Sequence, residues 1–122
     1  MFLEYYIRDG YTKAKFSGGI NLVATQDDGT VVACPLGAAA LSFGIITDTQ
    51  EDLLYCPEVY SRLQDVFPEL GLKVYGWTYN ELDKIVYPLS SFIIEAVDRY
   101  SATAEDVISF LTWMREGGAL DS

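Results

Sequence analysis

A chain of 122 residues, half of them apolar and 14% aromatic, has room for one hydrophobic core and enough apolar surface to offset the entropy of ordering it. This composition excludes wholesale disorder and calls for no second domain. Eighteen Asp and Glu against eight Lys and Arg give a net charge of −10, which argues against direct binding of nucleic acid, where affinity comes from cations that displace counterions from phosphate.

Met1-Phe2-Leu3-Glu4-Tyr5 lacks the basic region and long apolar run of a secretory signal, and no apolar stretch approaches the length of a membrane span. A cytoplasmic location without membrane association is expected. Residues 2–16 read as a short helix interrupted near Gly10. After Ser17-Gly18-Gly19, the β-branched-rich runs Ile20–Thr25 and Thr30–Ala33 flank Asp27-Asp28-Gly29, a hairpin signal because the turn needs residues that tolerate positive φ. Pro35 opens a helix of small side chains through Leu41, with Gly44 as its stop. Thr47–Asp52 is a polar connection that could begin a short helix through Tyr55, with Pro57 ending it or starting the next segment.

In Glu58–Leu70, Val59, Leu63, Val66 and Phe67 follow the spacing of one helical face, bounded by Pro68 and Gly71. Thr78 and Glu81 have capping-box spacing ahead of an apolar stripe from Leu82 through Ile85, Val86, Leu89, Ile93 and Val97 to Tyr100, which predicts a helix that Pro88 kinks or splits. Thr103 caps a last helix whose Val107, Phe110, Leu111 and Met114 face inward, and Gly117-Gly118 stops it. The expected fold is mainly α (α+β): one domain over residues 1–122, a compact bundle of about four to five helices with a small β-hairpin near residues 20–34.

The absence of His removes the commonest general base and excludes Ser-His and Cys-His nucleophile pairs. Thr25-Gln26-Asp27-Asp28-Gly29 lacks the alternating oxygen ligands and distal Glu of a calcium loop, no phosphate-binding glycine loop is present, and two cysteines without His are a poor zinc set. No cofactor or metal is expected, and no catalytic residue is assigned. Cys34 and Cys56 are expected to be free thiols. Cys34 immediately precedes a predicted helix, whose dipole could lower a thiol pKa, which makes it the candidate reactive thiol; the favoured reading is a small buried apolar residue at the start of a tightly packed helix. Among many aromatics, Tyr75, Trp77 and Tyr79 are expected in a loop between two helices as an exposed recognition patch.

The order Gly10-Tyr11-Thr12-Lys13, Asp28-Gly29, Cys34-Pro35-Leu36-Gly37-Ala38-Ala39, then Asp98 with Glu105-Asp106-Val107 resembles a family of small bacterial and phage proteins. Members carry a G-W-x-x-G start, a C-A-L-G-A core and an N-D near a final helix. The resemblance spans roughly residues 7–112, with Tyr11 in place of Trp, Pro35 in place of Ala and Val97 in place of Asn. It implies a compact, mainly helical domain of bacterial or phage origin and brings no activity with it.

The charge and the missing catalytic groups together favour a non-enzymatic interaction domain whose acidic surface docks on a basic surface of another protein. A phage-type version is an inhibitor whose carboxylates stand where phosphates would lie in the nucleic-acid channel of a host enzyme. Glu51, Asp52, Glu58, Asp65, Glu69, Glu81 and Asp83, with Glu95 and Asp98, would then cluster on one face, and Tyr75, Trp77 and Tyr79 would join the partner-binding set. Competing readings are a small-molecule or thiol-dependent site around Cys34, and a homo-oligomerisation module, most simply a homodimer.

Overall fold

The computed structural model describes residues 2–18, 22–46, 57–77 and 84–117. Helix α1 (Leu3–Gly10) places Leu3, Ile7 and Gly10 inward and is followed by a short strand β1 (Lys15–Phe16). The Asp-Gly hairpin forms as expected. Strands β2 (Val23–Thr25) and β3 (Val31–Ala33) pair antiparallel, Val23 opposite Ala33, with Gly29 at φ 86° in the turn and Asp28 accepting from the Thr30 N–H. β1, which the sequence does not announce, adds to β3 in parallel to complete a three-stranded sheet of order β1-β3-β2.

Helix α2 (Pro35–Phe43) begins with Pro at its first turn and ends at Gly44, whose φ of 84° is the left-handed C-cap that glycine adopts without strain. Its small residues set the depth of packing. A Cβ on Gly10 would lie 1.9 Å from the Ala38 carbonyl oxygen, and one on Gly37 would lie 1.8 Å from that of Leu22. Backbones of α1, α2 and the segment entering β2 thus meet with no space for another carbon. The Gly10-Tyr11 and Cys34–Ala39 segments are opposing halves of this one junction, pinned further by the Tyr11 hydroxyl, which donates to the Ala33 carbonyl at 2.9 Å.

Helix α3 (Pro57–Val66) and a 3-10 turn (Pro68–Gly71) follow, with Val59, Leu63, Phe67 and Leu70 buried. The expectation of a helix running through Ile85 and Val86 is overturned. Strand β4 (Lys73–Trp77) pairs antiparallel with β5 (Lys84–Pro88), Tyr75 opposite Val86, and helix α4 (Leu89–Arg99) starts only after Pro88, which takes the extended N-cap conformation (ψ 149°). The β-branched pair Ile85-Val86 suits a strand, and proline disfavours helical backbone at Tyr87 before it, two local effects that outweigh a helix-like spacing of apolar residues. Thr78, Glu81 and Leu82, and the 47–56 connection with Cys56, lie outside the described residues.

Helix α5 (Ala104–Glu116) opens with a capping box: the Asp106 N–H donates to Thr103 Oγ1 at 3.1 Å and the Thr103 N–H to the Asp106 carboxylate at 2.9 Å. It buries Val107, Ile108, Leu111 and Met114. The architecture is mainly α with a small β part, with five α-helices around one core among the described residues. No helix is long and apolar enough to cross a membrane among the described residues.

Candidate functional site

Cys34 is the N-cap of α2, its Sγ accepting from the Gly37 N–H at 3.4 Å. The residue is 8% exposed. Burial pushes its thiol pKa up, and the opposing pull of the Gly37 and Leu36 N–H groups does not restore it. Cys34 therefore sits as the small buried residue that the sequence favours, and desolvation of the thiolate outweighs the pull of the helix N-terminus. The void beside it, lined by Tyr60, Ile93, Ile94 and Val97, holds about 20 Å³, against roughly 300–1,000 Å³ for a small-molecule pocket.

A larger cleft of about 370 Å³ runs between α1 and α5, lined by Phe2, Glu4, Tyr5, Arg8, Ile108, Thr112, Arg115 and Glu116. Its floor is an ion network. Arg115 donates through Nε and Nη2 to the two Glu4 carboxylate oxygens at 2.7 and 2.8 Å and reaches Glu69 at 3.3 Å, while its guanidinium lies 4.2 Å from the Phe2 ring centroid. The Arg115 and Glu4 side chains are only 9% and 8% exposed. For Glu4, burial opposes the charge, but the Arg115 hydrogen bond and charge together with a backbone N–H prevail, holding its carboxyl below the usual range. Arg115 is raised by the Glu4 hydrogen bond in turn. The fork geometry consumes both charges, so the network ties α1, the 3-10 turn and α5 together.

Those acidic positions that the structure describes lie on α3, the 3-10 turn and α4. Glu58 and Asp65 are exposed on α3, seven residues apart and hence on the same side of that helix, with the cation Arg62 between them. Glu69 is withdrawn from the surface because Arg115 takes it up. Glu95 pairs with Arg99 at 3.1 Å, and Asp98 is exposed. Glu51, Asp52, Glu81, Asp83 and Tyr79 lie outside the described residues. Tyr75 and Trp77 belong to strand β4, not to a loop between helices, which corrects that part of the aromatic-patch expectation. Among the described residues, no group of three potential metal ligands occurs, and every buried side-chain polar atom has a hydrogen-bond partner.

The outer face of α5 carries an exposed aromatic. Trp113 is 70% exposed, and its ring stacks on Phe110 (centroids 6.1 Å apart), which stacks on Phe92 of α4 (5.2 Å). Glu105, Ser109 and Glu116 share that exposed face with Trp113, and Asp106 flanks it. The signal was available: Val107, Leu111 and Met114 fix the inner side of the helix, which sends position 113 outward.

These features define a mainly helical domain with a small sheet and an aromatic, acidic helix face. Comparison with protein-family models, with curated proteins and with solved structures finds no match.

Proposed function

We propose that this chain is a non-enzymatic protein-interaction domain that docks through carboxylates on a basic surface of another protein. One observation carries the reading: the chain bears −10 net charge, and one of its eight cations, Arg115, is spent on an internal network. The exposed surface is left rich in carboxylates, including Asp27, Asp28, Glu58, Asp65, Asp98 and Glu116. A surface of this kind steers and holds basic partners, with an affinity that salt screens. The buried Cys34 beside a void too small for a metabolite speaks against the thiol or small-molecule alternative. Within this reading, occupation of a nucleic-acid channel by phosphate-like carboxylates is the version suited to a phage-type inhibitor.

The test is capture of partners on the immobilised chain, each identified partner then being purified and titrated against the chain at low and high salt. A basic partner whose affinity falls steeply as salt rises supports the reading, and competition by duplex DNA for that partner supports the inhibitor version. Partners bound independently of salt, or none together with thermal stabilisation by a metabolite extract, overturn it.

A further inference from the structure

We infer that the outer face of α5 is the docking surface, and that it takes an arginine-bearing segment of a basic partner, with Trp113 stacking on one guanidinium, Glu116 pairing beside it, and Glu105 pairing with another cation of the segment further along the helix. The inference rests on the proposed interaction role and specifies its surface and chemistry.

Around the helix, Glu105, Ser109, Trp113 and Glu116 fall at i, i+4, i+8 and i+11, one stripe along the solvent side, with Asp106 next to it and no Lys or Arg among them. The indole is held from behind. Trp113, Phe110 and Phe92 form a column of near-parallel rings, each pair inclined by 29°, rooted between α4 and α5. A large aromatic that keeps most of its surface in water while its orientation is fixed suits a binding anchor, because little rotamer entropy remains to be lost on docking. Arg8 lies 4.0 Å from Glu105 with both side chains well exposed, a pair weak enough for an incoming group to replace.

Charge decides the occupant. A second copy of the chain meeting this face about a two-fold axis would set the acidic stripe of one copy against that of the other, which is repulsive. A basic segment meets the same carboxylates with attraction. Arginine fits better than lysine, since its planar guanidinium stacks on an indole and engages a carboxylate with two parallel hydrogen bonds, whereas an ammonium is a strongly hydrated point charge.

The experiment titrates the intact chain with fluorescently labelled oligo-arginine and oligo-lysine peptides of equal length, at low and at physiological salt, reading anisotropy. The expected result is tighter binding of oligo-arginine, weakened by ~10-fold or more in W113A and less in W113F, and weakened in the double variant Glu105→Gln/Glu116→Gln beyond what Glu58→Gln/Asp65→Gln on α3 produces. Unchanged thermal melting of W113A confirms that folding is intact, as expected for an exposed side chain. Equal binding of W113A and wild type, or equal loss in the α3 double variant, overturns the α5 surface while leaving the acidic-interaction reading in place. No peptide binding at low salt overturns both. Dimerisation in sedimentation that W113A abolishes, with peptide binding unaffected, assigns the face to a second copy and overturns the inference.

Discussion

Arg115 shows how a single side chain sets the terms of this fold. Its guanidinium lies among Glu4, Glu69 and the Phe2 ring with almost no solvent access, so replacing it leaves two carboxylates without their compensating charge. Arg115→Met is expected to cost about 3–5 kcal/mol in denaturant-induced unfolding, the usual penalty for breaking a buried pair on one side. The pH dependence has a definite sign. Because the folded-state pKa of Glu4 is lowered from its ordinary 4.5, its contribution is complete above that value and is lost as the pH falls through the folded pKa. Wild-type stability should therefore decline below about pH 4.5, and Arg115→Met should remove that part of the slope. Cys34 behaves oppositely to a reactive thiol: with its pKa raised by burial, a Cys56→Ser chain should react with a thiol reagent at least ~100-fold more slowly when folded than in denaturant. Comparable rates would mean that α2 opens readily at its first turn. The Arg115 network is not legible in the sequence, since Glu4 and Arg115 are 111 positions apart, whereas a small buried residue at the head of a tightly packed helix is the reading of Cys34 that the sequence favours.

At the scale of elements, local chemistry was readable wherever it acts alone. The Asp-Gly turn, the Pro35 start and Gly44 stop of α2, and the Thr103 cap of α5 all follow from backbone preferences of one or two residues. Strands β1 and β5 were not readable. Lys15-Phe16 has no pattern of its own and is a strand only because β3 lies beside it. The run ending at Pro88 has a helix-like apolar spacing, yet β-branched residues and the proline decide its conformation. The junction of α1 with α2 is the element-scale feature most open to test. Gly37→Ala sets a methyl against the Leu22 carbonyl, where it would stand at 1.8 Å without movement, so a loss of about 3 kcal/mol or more is expected, above the common range for overpacking because backbone rather than a flexible side chain must give way. Gly29→Ala in the hairpin turn meets no atom within 4 Å, and its cost comes only from the positive φ of 86°, roughly 1–2 kcal/mol. Equal costs at the two sites would show that the junction can relax.

Over the whole molecule, the governing quantity is charge. At −10 the folded chain repels itself, and that repulsion weakens as the screening length shrinks from about 30 Å at 0.01 M salt to about 3 Å at 1 M. Raising sodium chloride across that range should stabilise the chain by about 1 kcal/mol, or ~4 °C in melting temperature; an unchanged melting temperature would mean that local pairs such as Glu95–Arg99 already balance the field. The acidity is plain in the sequence, and the outward position of Trp113 follows from the spacing of Val107, Leu111 and Met114, whereas the Phe110–Phe92 stack behind the indole takes the fold to see.

The Glu4–Arg115 link also bears on the order of events in folding. The junction of Gly10 with Ala38 joins neighbouring stretches of chain and can form early, but docking α5 onto α1 closes almost the entire sequence into a loop, and the chain entropy surrendered is recovered only when the last contacts are made. That docking is expected on the native side of the folding barrier. Arg115→Met should then leave the folding rate nearly unaltered and appear almost wholly as faster unfolding in stopped-flow kinetics, whereas Gly37→Ala should slow folding itself. The buried ion network, on this view, governs how long the native state lasts and has little part in how quickly it is reached.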